Sequence, residues 1–233
     1  TLPIKNDYNK RIYCGTPLRR QFYDKNFLIT KNKRKGKFTI LIFGGSLGSK
    51  FFSTEIPNAF CKLDNKLKKV LHLKHQVIGS KIKIIKNLYK MNKISAEVKV
   101  FFNKIINHYV KADLIICRAG GSSIAEIMKL KIPSIIIPLK ESLDDHQVFN
   151  SHIIDKNRIG WVIKENEFQV SRFNLIIENL ISNNKIAHRI NENYLKLENN
   201  NSKLLKHKTP ISIIENLISL IFNESNVGNS YDK

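Results

Sequence analysis

Short runs of apolar, mostly β-branched residues recur between residues 38 and 163 and alternate with stretches of helical character. Most runs are continuous rather than interrupted by polar residues at every second position, which is typical of strands buried on both faces of a parallel sheet. The runs that predict strands are FTILIF (38–43), VLHLKHQVIG (70–79), AEVKVFF (96–102), DLIIC (113–117), SIIIPL (134–139) and GWVI (160–163). This strand–helix alternation predicts a Rossmann-like α/β domain, a parallel sheet with helices on both faces.

The same pattern divides the chain into four parts. We predict a linker leading into the domain at 1–36, the Rossmann-like domain at 37–165, helices that pack on it at 166–222, and an exposed tail at 223–233. The helical part ends in apolar positions at 211, 214, 217, 218 and 221, which share one helical face.

The net charge of the chain limits the kinds of molecule that it is expected to bind. The chain has 233 residues, with 40 Lys and Arg against 19 Asp and Glu, and a formal net charge of +21. Such a field favours nucleotide phosphates, an anionic membrane surface or nucleic acid. A general bias toward Lys, Asn and Ile would give the same excess, so single lysines identify no site. With one Trp for base stacking and no recognised nucleic-acid-binding motif, we expect no nucleic-acid partner.

Cysteine usage and the missing metal motifs exclude two further classes of protein. Cys14, Cys61 and Cys117 are odd in number and far apart, and no CxxC or Cys/His zinc spacing is present. This argues against a disulfide scaffold and is typical of a reducing compartment. No DxD motif stands beside the glycine-rich loops, so we expect no metal and no cofactor. No apolar run approaches the ~20 residues of a membrane-spanning helix.

Two glycine-rich segments directly follow predicted strands. GGSLGSK (44–50) lacks the spacing of a Walker A loop. It is either a tight turn or an anion site made of backbone amides and the Ser46 hydroxyl. In RAGGSSIAE (118–126), Ser123 and Glu126 have the spacing of a helix capping box. The spacing favours a capping role for Glu126; the alternative is a carboxylate that accepts hydrogen bonds from sugar hydroxyls.

A third polar segment, ESLDDHQVFNS (141–151), follows the fifth predicted strand. Ligands of open α/β sheets bind outside the carboxyl ends of the strands, so all three segments should converge on one crevice. Gln147 and Asn150 would supply neutral amides there, which suit sugar hydroxyls.

Four segments together resemble the MurG family of bacterial glycosyltransferases. GTPLR (15–19) is similar to that family's G-N-P-V-R segment, and ILIFGGSLGSK (40–50) to its apolar strand followed by G-G-S-x-G-A. DLIICRAGGSSIAE (113–126) resembles its C-R-[SA]-G-x-x-T-x-x-E signature, and LDDHQVFNS (143–151) its D-D-H-Q-x-x-N-A loop. The segments occur in the family's order and cover about residues 10–165. Each alone is weak, whereas the set is specific.

The resemblance implies the C-terminal, donor-binding half of a two-domain GT-B fold. It also implies where a nucleotide-sugar would bind. Arg19 would lie near the nucleotide diphosphate and Ser46 would hydrogen-bond to it, while the backbone at Phe102 would read the uracil edge. Phe102 stands where the family usually has Ile, and Thr16 where it has Asn; a backbone contact tolerates the first exchange.

The resemblance assigns the remaining contacts to the second glycine-rich segment and the polar loop. The loop of Gly121, Ser122 and Ser123 would contact phosphate and ribose, and Glu126 would hold the ribose hydroxyls. Gln147 would bind the GlcNAc hydroxyls. Gly121 and Ser122 stand where the family has bulkier residues.

The activity implied is inverting, metal-independent transfer of GlcNAc from UDP-GlcNAc to the lipid-linked muramyl-pentapeptide of peptidoglycan synthesis. Such an enzyme is cytoplasmic and peripheral on the inner face of the cell membrane. The lipid-linked acceptor and the catalytic base belong to an N-terminal domain whose GGTGGH-type loop has no counterpart here. We therefore expect the chain alone to bind donor but transfer poorly. The alternative is a non-catalytic nucleotide-sugar-binding subunit that needs a separate acceptor-binding chain.

Overall fold

The structure is a computed structural model that describes residue 16 and residues 18–23, 36–45, 48–139 and 146–205, with side chains to residue 199. Ser46, the apolar positions at 211–221 and the tail at 223–233 lie outside the described residues. The family-derived role of Ser46 and the predicted helix at the end of the chain therefore stay predictions.

The core of the fold is a six-stranded sheet with the order β3-β2-β1-β4-β5-β6, in which every pair of neighbours is parallel. The strands are β1 (Phe38–Phe43), β2 (Leu71–Gln76), β3 (Ser95–Lys99), β4 (Leu114–Cys117), β5 (Ser134–Ile136) and β6 (Gly160–Val162). The predicted Rossmann-like parallel sheet is confirmed, and each predicted run overlaps one strand, although β3 begins one residue before its run.

Helices cover both faces of this sheet. They are α1 (Glu55–Cys61), α2 (Asn65–Val70), α3 (Ile82–Met91), α4 (Ile106–Tyr109), α5 (Gly121–Leu130), α6 (His146–Lys156), α7 (Val170–Ser182) and α8 (Asn184–Leu205). Short 3-10 turns lie at Arg20–Tyr23, Phe51–Ser53, Gly79–Lys81 and Glu165–Glu167.

Alternate residues of the central strand β1 pack into two separate hydrophobic clusters. Ile40 and Ile42 of β1 pack into a cluster with α1, α3 and α7. Leu41 and Phe43 pack on the opposite face with α4, α5 and α8. Because both faces of the strand are covered, both sets of side chains must be apolar, which explains the unbroken apolar run.

Buried His75 is a neutral part of the core. Its Nδ1 atom lies 2.6 Å from the Tyr89 hydroxyl of α3, and both side chains are almost fully buried. Burial lowers the pKa of His75 to about 3. The imidazole therefore stays uncharged near neutral pH and joins β2 to α3 by a hydrogen bond without the cost of a buried charge.

The described residues contain neither a membrane-spanning helix nor a metal-binding cluster. No helix among them is both long enough and apolar enough to cross a bilayer. Nor do they contain a group of three or more His, Cys, Asp or Glu side chains arranged to hold a metal ion.

Candidate functional site

A cleft of about 650 Å³ opens where the strand order reverses, between the carboxyl ends of β1 and β4. From β1 the chain builds outward through β2 and β3, then returns to β4 and builds in the other direction. The loops after β1 and β4 therefore separate at this point and leave a crevice, the usual ligand position of this fold. Its lining includes Gly44, Gly45, Gly48, Ser49, Arg118, Gly120, Ser123, Leu139, Gln147 and Glu165.

The loop after β1 owes its shape to glycine. Gly45 and Gly48 have φ angles of +107° and +75°, in the region that side chains with a Cβ avoid. A Cβ on Gly48 would also lie 3.3 Å from Ile78 Cγ1. The Gly45 carbonyl accepts hydrogen bonds from Gly48 N–H at 3.2 Å and from Gln76 Nε2 at 2.9 Å. Backbone groups and a β2 side chain together fix this wall of the cleft.

The loop after β4 ends in the first turn of α5, which points its N-terminus at the cleft. Gly120 precedes the helix with φ −63° and ψ 138°, and its carbonyl accepts the Ile124 N–H at 3.0 Å. The N–H groups of Gly121, Ser122 and Ser123 have no carbonyl one turn earlier to bond, as at any helix start. Amides that have no partner within their helix and lie at the positive end of its dipole are suited to bind an anion.

The predicted capping box of Ser123 and Glu126 is wrong. Gly120 is the N-cap residue of α5, so Ser123 already lies inside the first turn. The helix therefore begins two residues before this serine. The alternative function of the Glu126 carboxylate, binding of hydroxyls, is thereby left open.

Arg118 joins four strand-end segments under the cleft. Its guanidinium donates hydrogen bonds to Ser49 Oγ at 2.8 Å and to the carbonyl oxygens of Ile137 and Pro138 at 3.2 Å each. It also forms an ion pair with the Glu165 carboxylate and lies over the Phe52 ring, 5.0 Å from its centroid. With only 8% of the residue exposed, Arg118 serves these protein contacts.

On the far side of the cleft, Gln147 in the first turn of α6 is held by the backbone. Its Oε1 accepts the Leu139 N–H at 3.1 Å. One turn later, Asn150 Nδ2 donates to the Ala119 carbonyl at 3.0 Å and so ties α6 to the β4 loop. Because the Gln147 oxygen is already used, its NH2 group is the part that can donate to a ligand hydroxyl.

The residues that form the sheet and the cleft match a known protein family. Residues 39–209 match the family described as glycosyltransferase family 28 C-terminal domain, which covers most of the chain, including all six strands and the cleft. The chain belongs to this family.

Family 28 relatives with assigned activities share about a third of their residues with the chain. The relative from Rickettsia bellii (strain RML369-C) is 33% identical over 213 residues, which is 90% of this chain and 58% of the relative. That from Rickettsia canadensis (strain McKiel) is 35% identical over 202 residues, 85% of this chain and 56% of the relative. Both are named UDP-N-acetylglucosamine--N-acetylmuramyl-(pentapeptide) pyrophosphoryl-undecaprenol N-acetylglucosamine transferase. The chain spans about half the length of these relatives.

Solved glycosyltransferase structures share the fold. The crystal structure of Acinetobacter baumannii MurG superposes with a TM-score of 0.63 at 24% identity, covering 72% of this chain and 48% of that one. A UDP-glucosyltransferase from Polygonum tinctorium superposes with a TM-score of 0.60 at 13% identity, covering 90% of this chain and 46% of that one. The likeness supports the expected GT-B type of domain at the level of fold.

The family 28 cleft brings together some of the residues predicted from the sequence. Ser123 and Gln147 line it, and Gly121 and Ser122 stand beside them at the start of α5. Their roles toward a ligand stay predictions.

Arg19 and Glu126 lie next to the cleft rather than in its lining. Arg19 donates to Glu126 Oε1 at 2.6 Å, although 107 positions separate them in the sequence. The Glu126 side chain is 7% exposed and that of Arg19 is 59% exposed. Burial, with the neighbouring Cys117 and Glu126, raises the pKa of the Tyr109 phenol well above its ordinary value. The carboxylate therefore has a neutral phenol on its inner side and a cation on its outer side.

Phe102 follows β3 and turns its ring inward. The residue is 3% exposed, and the ring centroid lies 4.7 Å from that of His108. With the ring in the core, any ligand contact at this position falls to the backbone, which is the contact that the resemblance implies.

Sequence reasoning missed Arg118 and Glu165 as residues of the site. Arg118 lies inside a quoted motif, where the signal was a long cation between a buried strand and a glycine pair. Glu165 lies beyond all four motifs, after β6, and only the fold shows that it reaches Arg118.

Proposed function

We propose that this chain is the donor-binding half of a glycosyltransferase that moves GlcNAc from UDP-GlcNAc to the lipid-linked muramyl-pentapeptide of peptidoglycan synthesis. The observation that carries the proposal is the convergence of two glycine-rich strand ends on one cleft at the switch point, in a chain of family 28. The relatives' names supply the identity of the donor and the acceptor.

The first amides of α5 are suited to a phosphate of the donor, because the helix dipole adds to their attraction for an anion. The glycine-rich loop after β1 also lines the cleft, where its backbone can approach a diphosphate closely. The contacts proposed are Ser46 with the diphosphate, and Gly121, Ser122 and Ser123 with phosphate and ribose. Because backbone amides need no counter-ion to bind phosphate, donor binding would proceed without added metal.

The Arg19–Glu126 pair supports the assignment of these residues to adjacent parts of one nucleotide. A diphosphate and a ribose are covalent neighbours, and the two side chains proposed for them lie 2.6 Å apart. Glu126 would accept from the ribose hydroxyls while Arg19 faces the phosphates. The backbone at Phe102 would read the uracil edge.

Gln147 would recognise the sugar. Its amide oxygen accepts the Leu139 N–H, which orients the NH2 group toward the cleft. Because the side chain is already ordered, little side-chain entropy would be lost when the sugar binds. A neutral amide binds hydroxyls without the desolvation cost of a charge.

Acceptor binding and the catalytic base are proposed for a separate N-terminal domain, as the resemblance implies. The lipid-linked acceptor would place the enzyme at the inner face of the cell membrane. A chain that binds donor as a non-catalytic subunit would show the same affinity, so transfer must be tested with the acceptor-binding part present.

Calorimetric titration with UDP-GlcNAc, UDP, ADP-glucose and GDP-mannose tests the donor site. We expect binding of UDP-GlcNAc and UDP, in the presence of a chelator, with weaker binding of the other two sugars. Equal affinity for all four, no binding of UDP, or binding abolished by the chelator would contradict the proposal.

A further inference from the structure

Gln76, the last residue of β2, is a polar side chain in the interior of the domain. Only 4% of the residue is exposed, and it is not among the residues that line the cleft. A buried amide costs free energy unless it is hydrogen-bonded. Gln76 Nε2 donates to the Gly45 carbonyl at 2.9 Å, across 31 positions of the sequence. The buried side chain of β2 therefore holds the loop that follows the neighbouring strand β1.

The Gly45 carbonyl oxygen that accepts this bond has a second donor. The N–H of Gly48 reaches it at 3.2 Å and closes a turn within the loop. A carbonyl oxygen has two lone pairs, so these two donors use both. Because Gln76 lies outside the cleft lining, the oxygen that it binds is held toward β2 rather than toward a ligand.

Packing does not restrain the backbone at Gly45. A Cβ at this position would have no atom of the described residues within 4 Å, and the φ angle is +107°. Glycine in open space rotates its carbonyl at little cost. A rotated carbonyl would present its negative end to the cleft and repel a phosphate there. The restraint on this residue must therefore come from hydrogen bonds, and Gln76 supplies the one that originates in the sheet.

The far end of the same loop has other supports. Ser53 lies in the 3-10 turn after the loop, is 4% exposed, and accepts the Ile78 N–H on its Oγ at 3.0 Å. Gly48 packs against Ile78, and Ser49 Oγ accepts a hydrogen bond from Arg118 at 2.8 Å. The Gly45 end is thus the part of the loop whose orientation depends on a single side chain.

We propose that Gln76 is a positioning residue of the donor site, which binds the Gly45 carbonyl and so keeps the loop after β1 in the conformation that receives the diphosphate. The inference rests on the proposed function, because it takes the ligand of the cleft to be a nucleoside diphosphate. Gln76 acts through the loop and does not touch the ligand. Its loss should therefore weaken the binding of phosphate and spare the contacts with the nucleoside.

A purely structural role of Gln76 predicts a different result. A buried hydrogen bond adds to the stability of the whole domain, whichever elements it joins. Its loss would then affect uridine and UDP alike, or neither of them. The comparison of these two ligands distinguishes the two roles, because they differ only in the diphosphate.

Gln76→Met tests the proposal in the full chain, since methionine is similar in length and has no donor. We expect UDP affinity to fall roughly fivefold or more, as for one lost hydrogen bond, and uridine affinity to change less than about twofold. The matched control is Tyr194→Phe, which deletes a buried hydrogen bond of 2.9 Å to the Ile132 carbonyl, with neither residue in the cleft lining. This control should lower the melting temperature by a similar amount and leave both affinities unchanged. Calorimetry measures UDP binding, and an NMR titration measures uridine binding.

Gln76→Glu provides a rescue that a structural role would not require. Burial raises the pKa of a carboxyl group, and only its protonated form has an O–H to donate to the Gly45 carbonyl. The UDP affinity of this variant is compared with that of the unsubstituted chain at the same pH. It should be low at about pH 8 and recover toward about pH 5, as the carboxyl group becomes protonated.

Hydrogen exchange of the Gly48 amide tests the loop without a ligand. Because this N–H binds the same carbonyl, its exchange should become several-fold faster in Gln76→Met and stay unchanged in Tyr194→Phe. A failure of the unsubstituted chain to bind UDP would contradict the proposed function, while faster Gly48 exchange would still support the action of Gln76 on the loop. Unchanged Gly48 exchange in Gln76→Met, equal losses for uridine and UDP, or equal effects of Tyr194→Phe would each overturn the proposal.

Discussion

The two glycine-rich strand ends of the cleft resemble each other in sequence but are built in different ways. After β1, Gly45 and Gly48 have positive φ angles, and the loop is closed by backbone groups and Gln76. After β4, Gly120 has an ordinary backbone conformation, and the loop rests on the buried Arg118. Glycine is thus a conformational requirement in the first loop. In the second, Gly120 and Gly121 have backbone conformations open to any residue, and glycine only leaves the first amides of α5 without a nearby Cβ.

Of the substitutions that test this difference between the loops, removal of Arg118 should have the largest effect on stability and on UDP affinity. Arg118→Ala deletes hydrogen bonds to two segments and leaves the Glu165 carboxylate without its partner, which should cost about 3 kcal/mol of unfolding free energy. UDP affinity should fall as well, because the β4 loop loses its support. Urea denaturation and calorimetry measure the two effects. Arg172→Ala, at an exposed position of α7, is the control, and equal small losses in both variants would show that Arg118 does not organise the cleft.

Substitution of Gln147 tests whether the two loops bind only the diphosphate end of the donor. Gln147→Ala should weaken UDP-GlcNAc binding by about 2 kcal/mol and leave UDP binding nearly unchanged, because UDP offers no sugar hydroxyl. Paired titrations measure the difference, with Gln169→Ala, at an exposed position outside the cleft, as control. Equal losses for both ligands would move Gln147 to the nucleotide.

The glycines themselves give the most direct contrast between the loops. Gly48→Ala should lower the unfolding free energy by about 1–2 kcal/mol, because alanine is strained at φ +75° and its methyl group meets Ile78. Gly121→Ala should instead be neutral or raise stability by about 0.5 kcal/mol, since its Cβ would have an ordinary contact of 3.8 Å with Asn150. Thermal melts compare the two. Similar losses in both would remove the distinction.

The smallest expected effect concerns Glu126, on the helix that follows the second loop. Glu126→Gln should weaken UDP binding by about 1 kcal/mol, because the amide is a poorer acceptor for ribose hydroxyls. The melting temperature should change little, since the glutamine amide oxygen can still accept a hydrogen bond from Arg19. Loss of stability at constant UDP affinity would make Glu126 a structural residue.

The strands of the sheet could be predicted from the sequence, but the contacts between the loops that follow them could not. Leu41 and Ile42 pack on opposite faces of the sheet, and both are apolar. A strand that is buried on both faces therefore gives one continuous apolar run, which can be recognised in the sequence. Ser123 and Glu126 have the spacing of a capping box, but local spacing does not determine where a helix begins, and α5 begins at Gly121. The contacts of Arg118 with Ser49 and Glu165 join distant segments, and only the parallel order of the strands brings these together.

Amide NMR during a UDP titration tests the central claim, that both glycine-rich strand ends bind one diphosphate. The account predicts large shifts of the Gly48, Ser49 and Ser123 amide signals at the same UDP concentration, with little change at Met91 and Lys93 on the opposite edge of the sheet. Shifts confined to one loop, or centred on the opposite edge, would contradict it.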